Sequence, residues 1–217
     1  MSQPTPTAVR HSPLEAFAER FAAVAAAWAG RIELDEIPYL AQVDLRADPT
    51  DPVLVRRLGA VLGVALPLEP NTARSTADGS RHILWLGPDE WLIVGADGSA
   101  AAIETALLDA LDRSHGAVVD VSANRTMLRL AGPAAREILE TGCSIDLHPR
   151  AFGPGRCAQT MLARAPLVIL QVSPEPDYRL LVRPSFAGYL ATWLLDALDV
   201  LDTATGPQDG PEVQPTG

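Results

Sequence analysis

The chain has 217 residues, 47% of them apolar, and 17 basic against 27 acidic side chains for a net charge of −10. That length suits one domain or two packed halves, and the charge has the wrong sign for gripping nucleic-acid phosphates. Every basic residue is arginine, which excludes Schiff-base chemistry, a P-loop lysine and a lysine general base.

Residues 1–11 are rich in Pro and Thr and are expected to be flexible. MSQPTPTAVRHSP lacks the charged-then-apolar pattern of a signal peptide. "SPLEAFAERFAAVAAAWAG" predicts a helix over 12–30, opened by a capping box of Ser12, Pro13 and Glu15 and closed by Gly30. "YLAQVDLR" (39–46) reads as a strand and "DPVLVRRLGAVLG" as a helix, with Asp51 as cap and Gly63 as stop. Residues 68–80 form a polar loop. "ILWLGPDEWLIV" (83–94) is a hairpin with two tryptophans flanking a Gly-Pro-Asp-Glu turn. A helix over 99–114 and a strand over 116–122 complete a β-α-β-β-α-β order, which is ferredoxin-like.

The second half begins in the same way. "RTMLRLAG" is a strand, and "PAAREILETG" is a helix between Pro133 and Gly142. Three strand-like stretches follow at 156–162, 166–173 and 178–183. The last helix sets Phe186, Leu190, Trp193, Leu194 and Ala197 on one face at helical spacing. The predicted fold class is α+β: two ferredoxin-like pseudo-repeats, about 31–122 and 123–200, in one domain over 12–200. Residues 201–217 offer little to bury and are expected to be a disordered tail.

No reactive constellation emerges from the motifs. The chain has no GxGxxG after a strand, no GxSxG, no P-loop and no HExxH. His11, His82, His115 and His148 lack ligand spacing, so no metal is expected. Cys143 and Cys157 are read as reduced core residues of a cytoplasmic protein, and no apolar run reaches membrane-spanning length. Asp120 and Ser122 at a strand exit, near Arg125, could pair an acid with a hydroxyl, although such residues more often tie down a turn. Asp89 and Glu90 could act as an acid/base pair, or simply shape the hairpin tip. Arg179 and Arg183 share one strand face and could clamp a carboxylate; the commoner role is a solvated arginine, or one paired with an acid.

Together these segments resemble a known family. Asp120–Ser122, Gly132–Ala135, Ile145–Leu147, Gly155–Thr160 and Tyr178–Val182 are similar to the amino-terminal part of folate-binding aminomethyltransferases of the glycine cleavage system. "WLGPDEWL" (Trp85–Leu92), "GCSIDLHP", "CAQT" and "RPSFAGYLATWL" resemble more closely the gamma subunits of heterotetrameric sarcosine oxidases, over roughly residues 12–199. "LARAPLVILQ" and "VRPSFAG" (Val182–Gly188) replace the transferases' acidic turn and Asn-Ala segment, so the carboxylate that works on the one-carbon unit has no counterpart.

The resemblance implies a non-catalytic subunit of a complex that demethylates sarcosine to glycine and passes the one-carbon unit to tetrahydrofolate. FAD, FMN, NAD and tetrahydrofolate would belong to partner alpha, beta and delta subunits, with no cofactor in this chain. Trp85, Pro88, Asp89, Glu90 and Trp91 are then the expected subunit contact, because Trp is enriched at interface centres. Core packing is the competing role of both indoles. A stand-alone folate-binding protein or one-carbon transferase is the alternative function, with Asp120 and Asp146 as its only candidate acids. The same scaffold role in an oxidase acting on another N-methylated amine is a third.

Overall fold

Runs such as ILWLG and APLVILQ have no polar alternation, as expected of strands covered on both faces. In the computed structural model, which describes residues 9–205, that is how they are used. The strands are β1 (Glu33–Ile37), β2 (Ala41–Ala47), β3 (Ala73–Ser75), β4 (His82–Gly87), β5 (Glu90–Gly95), β6 (Gly116–Asp120), β7 (Thr126–Ala131), β8 (Cys157–Leu162), β9 (Ala165–Gln171) and β10 (Asp177–Val182). The helices are α1 (Ala18–Ala27), α2 (Pro52–Leu62), α3 (Ala100–Leu111), α4 (Ala135–Glu140) and α5 (Pro184–Thr205).

Two antiparallel five-stranded sheets result, ordered β3-β4-β5-β2-β6 and β1-β7-β10-β9-β8. In the first, β6-β2-β5-β4 is the ferredoxin-like arrangement, with β3 added at the edge. The second repeats it with β7, β10 and β9, and β8 takes the edge. Its fourth position is filled by β1, which precedes the whole first sheet in sequence. The expected boundary at residue 31 therefore moves: Glu33–Ile37 pairs with Met127–Ala131 of the second half. A short, acidic strand cannot cover itself, and its apolar Leu34 is buried against the second half's core.

Alternate side chains build four layers. Ile83, Trp91 and Ile93 face α2 and α3. Leu84, Leu86, Leu92 and Val94 face the other sheet, meeting Met127, Val168, Leu170 and Leu181. The far side of the second sheet carries α1, α4 and α5 over Leu128, Leu130, Ile169 and Leu180. Hydrophobic burial in the layer between the two sheets joins the halves into one body.

Local signals decide the helix ends unevenly. Asp51 caps α2 as expected, accepting from the Val53 and Leu54 amides at 2.9 and 3.1 Å, and Gly63 closes it at φ 76°. The capping box at Ser12 does not form. The Ser12 hydroxyl donates to Glu36, and the Glu15 carboxylate turns to His11. Residues 15–17 are a 3₁₀ turn and the α-helix starts at Ala18, ending at Ala27 before Gly30.

The buried face of α5 is Ala187, Leu190, Ala191, Leu194 and Leu198, rotated from the expected stripe so that Phe186 is exposed. The helix runs on to Thr205, with Leu201 against the core, which corrects the expected tail start at 201. The rest of that tail, 206–217, lies outside the described residues, as do residues 1–8 of the expected flexible N-terminus. Arg10, also placed in that flexible segment, is pinned by Asp97 at 2.9 Å and lies over the Tyr39 ring.

Candidate functional site

The hairpin resolves first. Its register sets Trp85 opposite Trp91, so both indoles share the face toward α2 and α3. Trp91 is 0% exposed, and its Nε1 donates to the Pro67 carbonyl at 2.7 Å. This indole is core, which corrects the expectation that it is presented to a partner; Trp85 is half-buried beside it. At the tip, Pro88 and Asp89 are exposed and Glu90 is half-buried. Arg46 holds both tip acids, Asp89 at 3.2 Å and Glu90 at 2.7 Å. Two carboxylates shared by one guanidinium stabilise a turn rather than exchange protons with a substrate. Behind them, burial and the charge of Glu90 raise the pKa of Asp44.

The other acid candidates are also committed to turns. The Ser122 amide and hydroxyl donate to Asp120 at 2.9 and 2.5 Å, lowering the Asp120 pKa. The same hydroxyl accepts from the Gln42 amide at 3.0 Å, fastening the connection after β6 to β2. Asp146 accepts from the His148 amide at 2.9 Å. Such side-chain to backbone bonds are the ordinary business of Asp and Ser at turns.

Both cysteines are free. Cys157 is buried and donates to the Thr72 carbonyl at 3.2 Å, and burial pushes its thiol up to about 11. A thiol so protonated at neutral pH is a poor nucleophile. His82 meets the Ser75 hydroxyl at 2.7 Å, and burial lowers its pKa. Among the described residues no group of His, Cys, Asp and Glu could hold a metal ion, and no helix is long and apolar enough to cross a membrane.

What the fold assembles instead is a ladder of arginines on the face of β7 and β10 that looks toward the first sheet. Arg129 stands opposite Arg179 in the register, and Met127 opposite Leu181. The next alternate positions are Arg125 and Arg183. Asp177 and Glu33 neutralise the first pair: Arg129 reaches Asp177 at 3.3 Å and also binds Glu33, while Arg179 binds Asp177. Arg179 is thus the paired arginine of the commoner reading.

The second pair is different. Among the described residues, neither Arg125 nor Arg183 forms an ion pair or a side-chain hydrogen bond. Burial and the charge of Arg183 lower the pKa of Arg125, only partly offset by Asp44 and Glu90. Both arginines line a groove of about 330 Å³ with Gln159, Thr160 and Met161. Sequence reasoning considered Arg125 with Asp120 and Arg183 with Arg179, and missed that the two meet. Alternation within each strand gave the face that each arginine takes, and only the β7–β10 register gives its partner.

This frame has a family. The sarcosine oxidase gamma subunit family matches residues 46–199. The chain belongs to that family. A curated member of it, the sarcosine oxidase subunit gamma of an Arthrobacter species, is 41% identical over 192 residues, 88% of this chain and 91% of the relative. A chain of the heterotetrameric sarcosine oxidase from Corynebacterium sp. U-96, in complex with pyrrole 2-carboxylate, superposes with a TM-score of 0.77. It is 36% identical, covering 88% of this chain and 95% of that one. The gamma-subunit fold is also similar to the glycine cleavage system aminomethyltransferase T from Bartonella henselae, at TM-score 0.58 and 18% identity. That match covers 76% of this chain but 46% of the transferase, and at such identity the likeness concerns fold alone.

Proposed function

We propose that this chain is a non-catalytic, assembly-bearing gamma subunit of a heterotetrameric sarcosine oxidase, the complex that demethylates sarcosine to glycine and hands the one-carbon unit to tetrahydrofolate. One observation carries the non-catalytic part of that reading: each acid that could serve a transferase site is already occupied. Asp120 and Asp146 bind turn amides, and Asp89 and Glu90 bind Arg46. FAD, FMN, NAD and tetrahydrofolate accordingly belong to the alpha, beta and delta partners. The exposed tip of the hairpin, Pro88 and Asp89, with the accessible edges of Trp85 and Glu90, is a contact surface for them.

The purified chain tests this directly. Alone it should be colourless and inactive on sarcosine, and titration with tetrahydrofolate should give no saturable signal. Coexpressed with the other subunits it should copurify. A flavin absorbance band in the isolated chain, or micromolar folate binding, would overturn the reading in favour of a catalytic or folate-handling protein.

A further inference from the structure

The arginine ladder contains one pair with partners and one without. Like charges directly opposite on neighbouring strands repel, and the fold relieves the Arg129–Arg179 pair with Asp177 and Glu33. Nothing equivalent touches Arg125 and Arg183 among the described residues, although the chain carries 27 acidic residues against 17 basic ones. Exposed apolar side chains stand on the groove's own lining and on α5, which follows Arg183 directly. Met161 is 41% exposed, and the turn after β8 brings the Arg164 amide to the Tyr189 hydroxyl at 3.3 Å. Tyr189 and Phe186, one turn apart on α5, are 42% and 36% exposed, and Phe186 bonds back to the Arg183 carbonyl. Arg, Met, Tyr and Phe are the residue types enriched where proteins meet.

We propose that Arg125 and Arg183 receive a carboxylate from an acidic segment of a partner subunit, whose apolar neighbours cover Met161, Phe186 and Tyr189. The inference rests on the assembly reading above and names the chemistry of the contact. Two guanidiniums with no acid directly bonded to either among the described residues select an acidic occupant, since a planar fork binds a carboxylate by two parallel bonds. The groove's volume is at the low end for ligand pockets, which favours a protein side chain over a larger free molecule.

The test uses the full chain coexpressed with its partner subunits. Arg125→Gln with Arg183→Gln should weaken association at least tenfold at low salt and flatten its salt dependence. The isolated double variant should melt no lower than wild type, because a repulsion has been removed. Arg113→Gln, on an exposed turn elsewhere, should change neither. Association of the double variant within twofold of wild type overturns the proposal while leaving the assembly reading intact. A wild-type chain that copurifies with no partner removes both. Saturable binding of glutarate to the isolated chain, abolished in a double variant that still assembles, reassigns the groove to a small acid. Self-association of the isolated chain that is lost in the double variant reassigns it to a second copy.

Discussion

Trp85 and Trp91 face each other across the hairpin and look the same way, yet one indole is sealed in the core and the other is half-covered. The difference is the loop before β3, whose Pro67 carbonyl closes over Trp91 Nε1. The pair thus couples a rigid base to a partly accessible edge.

Trp91→Ala should cost roughly 3–5 kcal/mol of folding stability, the usual range for emptying a large aromatic site. The lost indole also leaves the Pro67 carbonyl unpaired. Denaturant unfolding of the isolated chain measures it. Trp85→Ala should cost clearly less, and should weaken assembly more than it weakens the fold. Equal losses for both variants would mean that the exposed edge of Trp85 has no separate role.

Cysteine reactivity should separate the two thiols. In the native protein at pH 8, Ellman's reagent should modify half-buried Cys143 well before buried Cys157. Unfolding without reductant should expose both; recovery of neither would show a disulfide. The raised Cys157 value also fixes a pH window. The folded chain holds that proton more tightly than the unfolded one, so its contribution to stability is whole below about pH 9. It is lost as pH rises toward about 11. Cys157→Ser should remove that part of the alkaline slope.

Gly132 holds the junction between β1 and the second sheet. Its φ is 108°, and an added Cβ would sit 2.3 Å from the Arg31 carbonyl oxygen. Only glycine adopts that backbone comfortably. Gly132→Ala should destabilise the chain by about 1–3 kcal/mol, the range for an overpacked site. Hydrogen exchange should rise most along Glu33–Ile37, whose pairing it displaces. Uniform loss of protection in both sheets would argue against a local effect.

Ala163 occupies the left-handed region at φ 50° in the two-residue turn between β8 and β9. A non-glycine residue there costs about 1–2 kcal/mol, partly offset by the chain entropy that glycine loses on folding. Ala163→Gly should therefore stabilise by roughly 0.5–1 kcal/mol, a rise of about 1–4 °C in Tm for a chain of this size. A fall in Tm would show that the methyl group packs usefully.

What the sequence determined by itself is whatever is decided within a few residues. The Asp51 cap, the Gly63 stop, the Pro-Asp hairpin tip and the apolar runs of β9 and β10 all follow from short-range hydrogen bonding, backbone freedom and periodicity. The α+β order followed from those pieces, and the family motifs were legible because they are contiguous. Tertiary structure decided the rest. ELDEI carries no strand signal strong enough to name its sheet; it pairs with β7 because an edge of the second half was open, at residues nearly a hundred positions away. The capping box failed because the Glu15 carboxylate turned to His11, while the Ser12 hydroxyl, donating to Glu36, accepted only from the Leu14 amide. Trp91 became core through Pro67, a residue outside its own hairpin. Arg125 and Arg183 meet because β7 and β10 are neighbours, a pairing of distant segments that periodicity cannot encode: each strand reports which face a side chain takes, and only the packed sheet reports which side chain stands opposite.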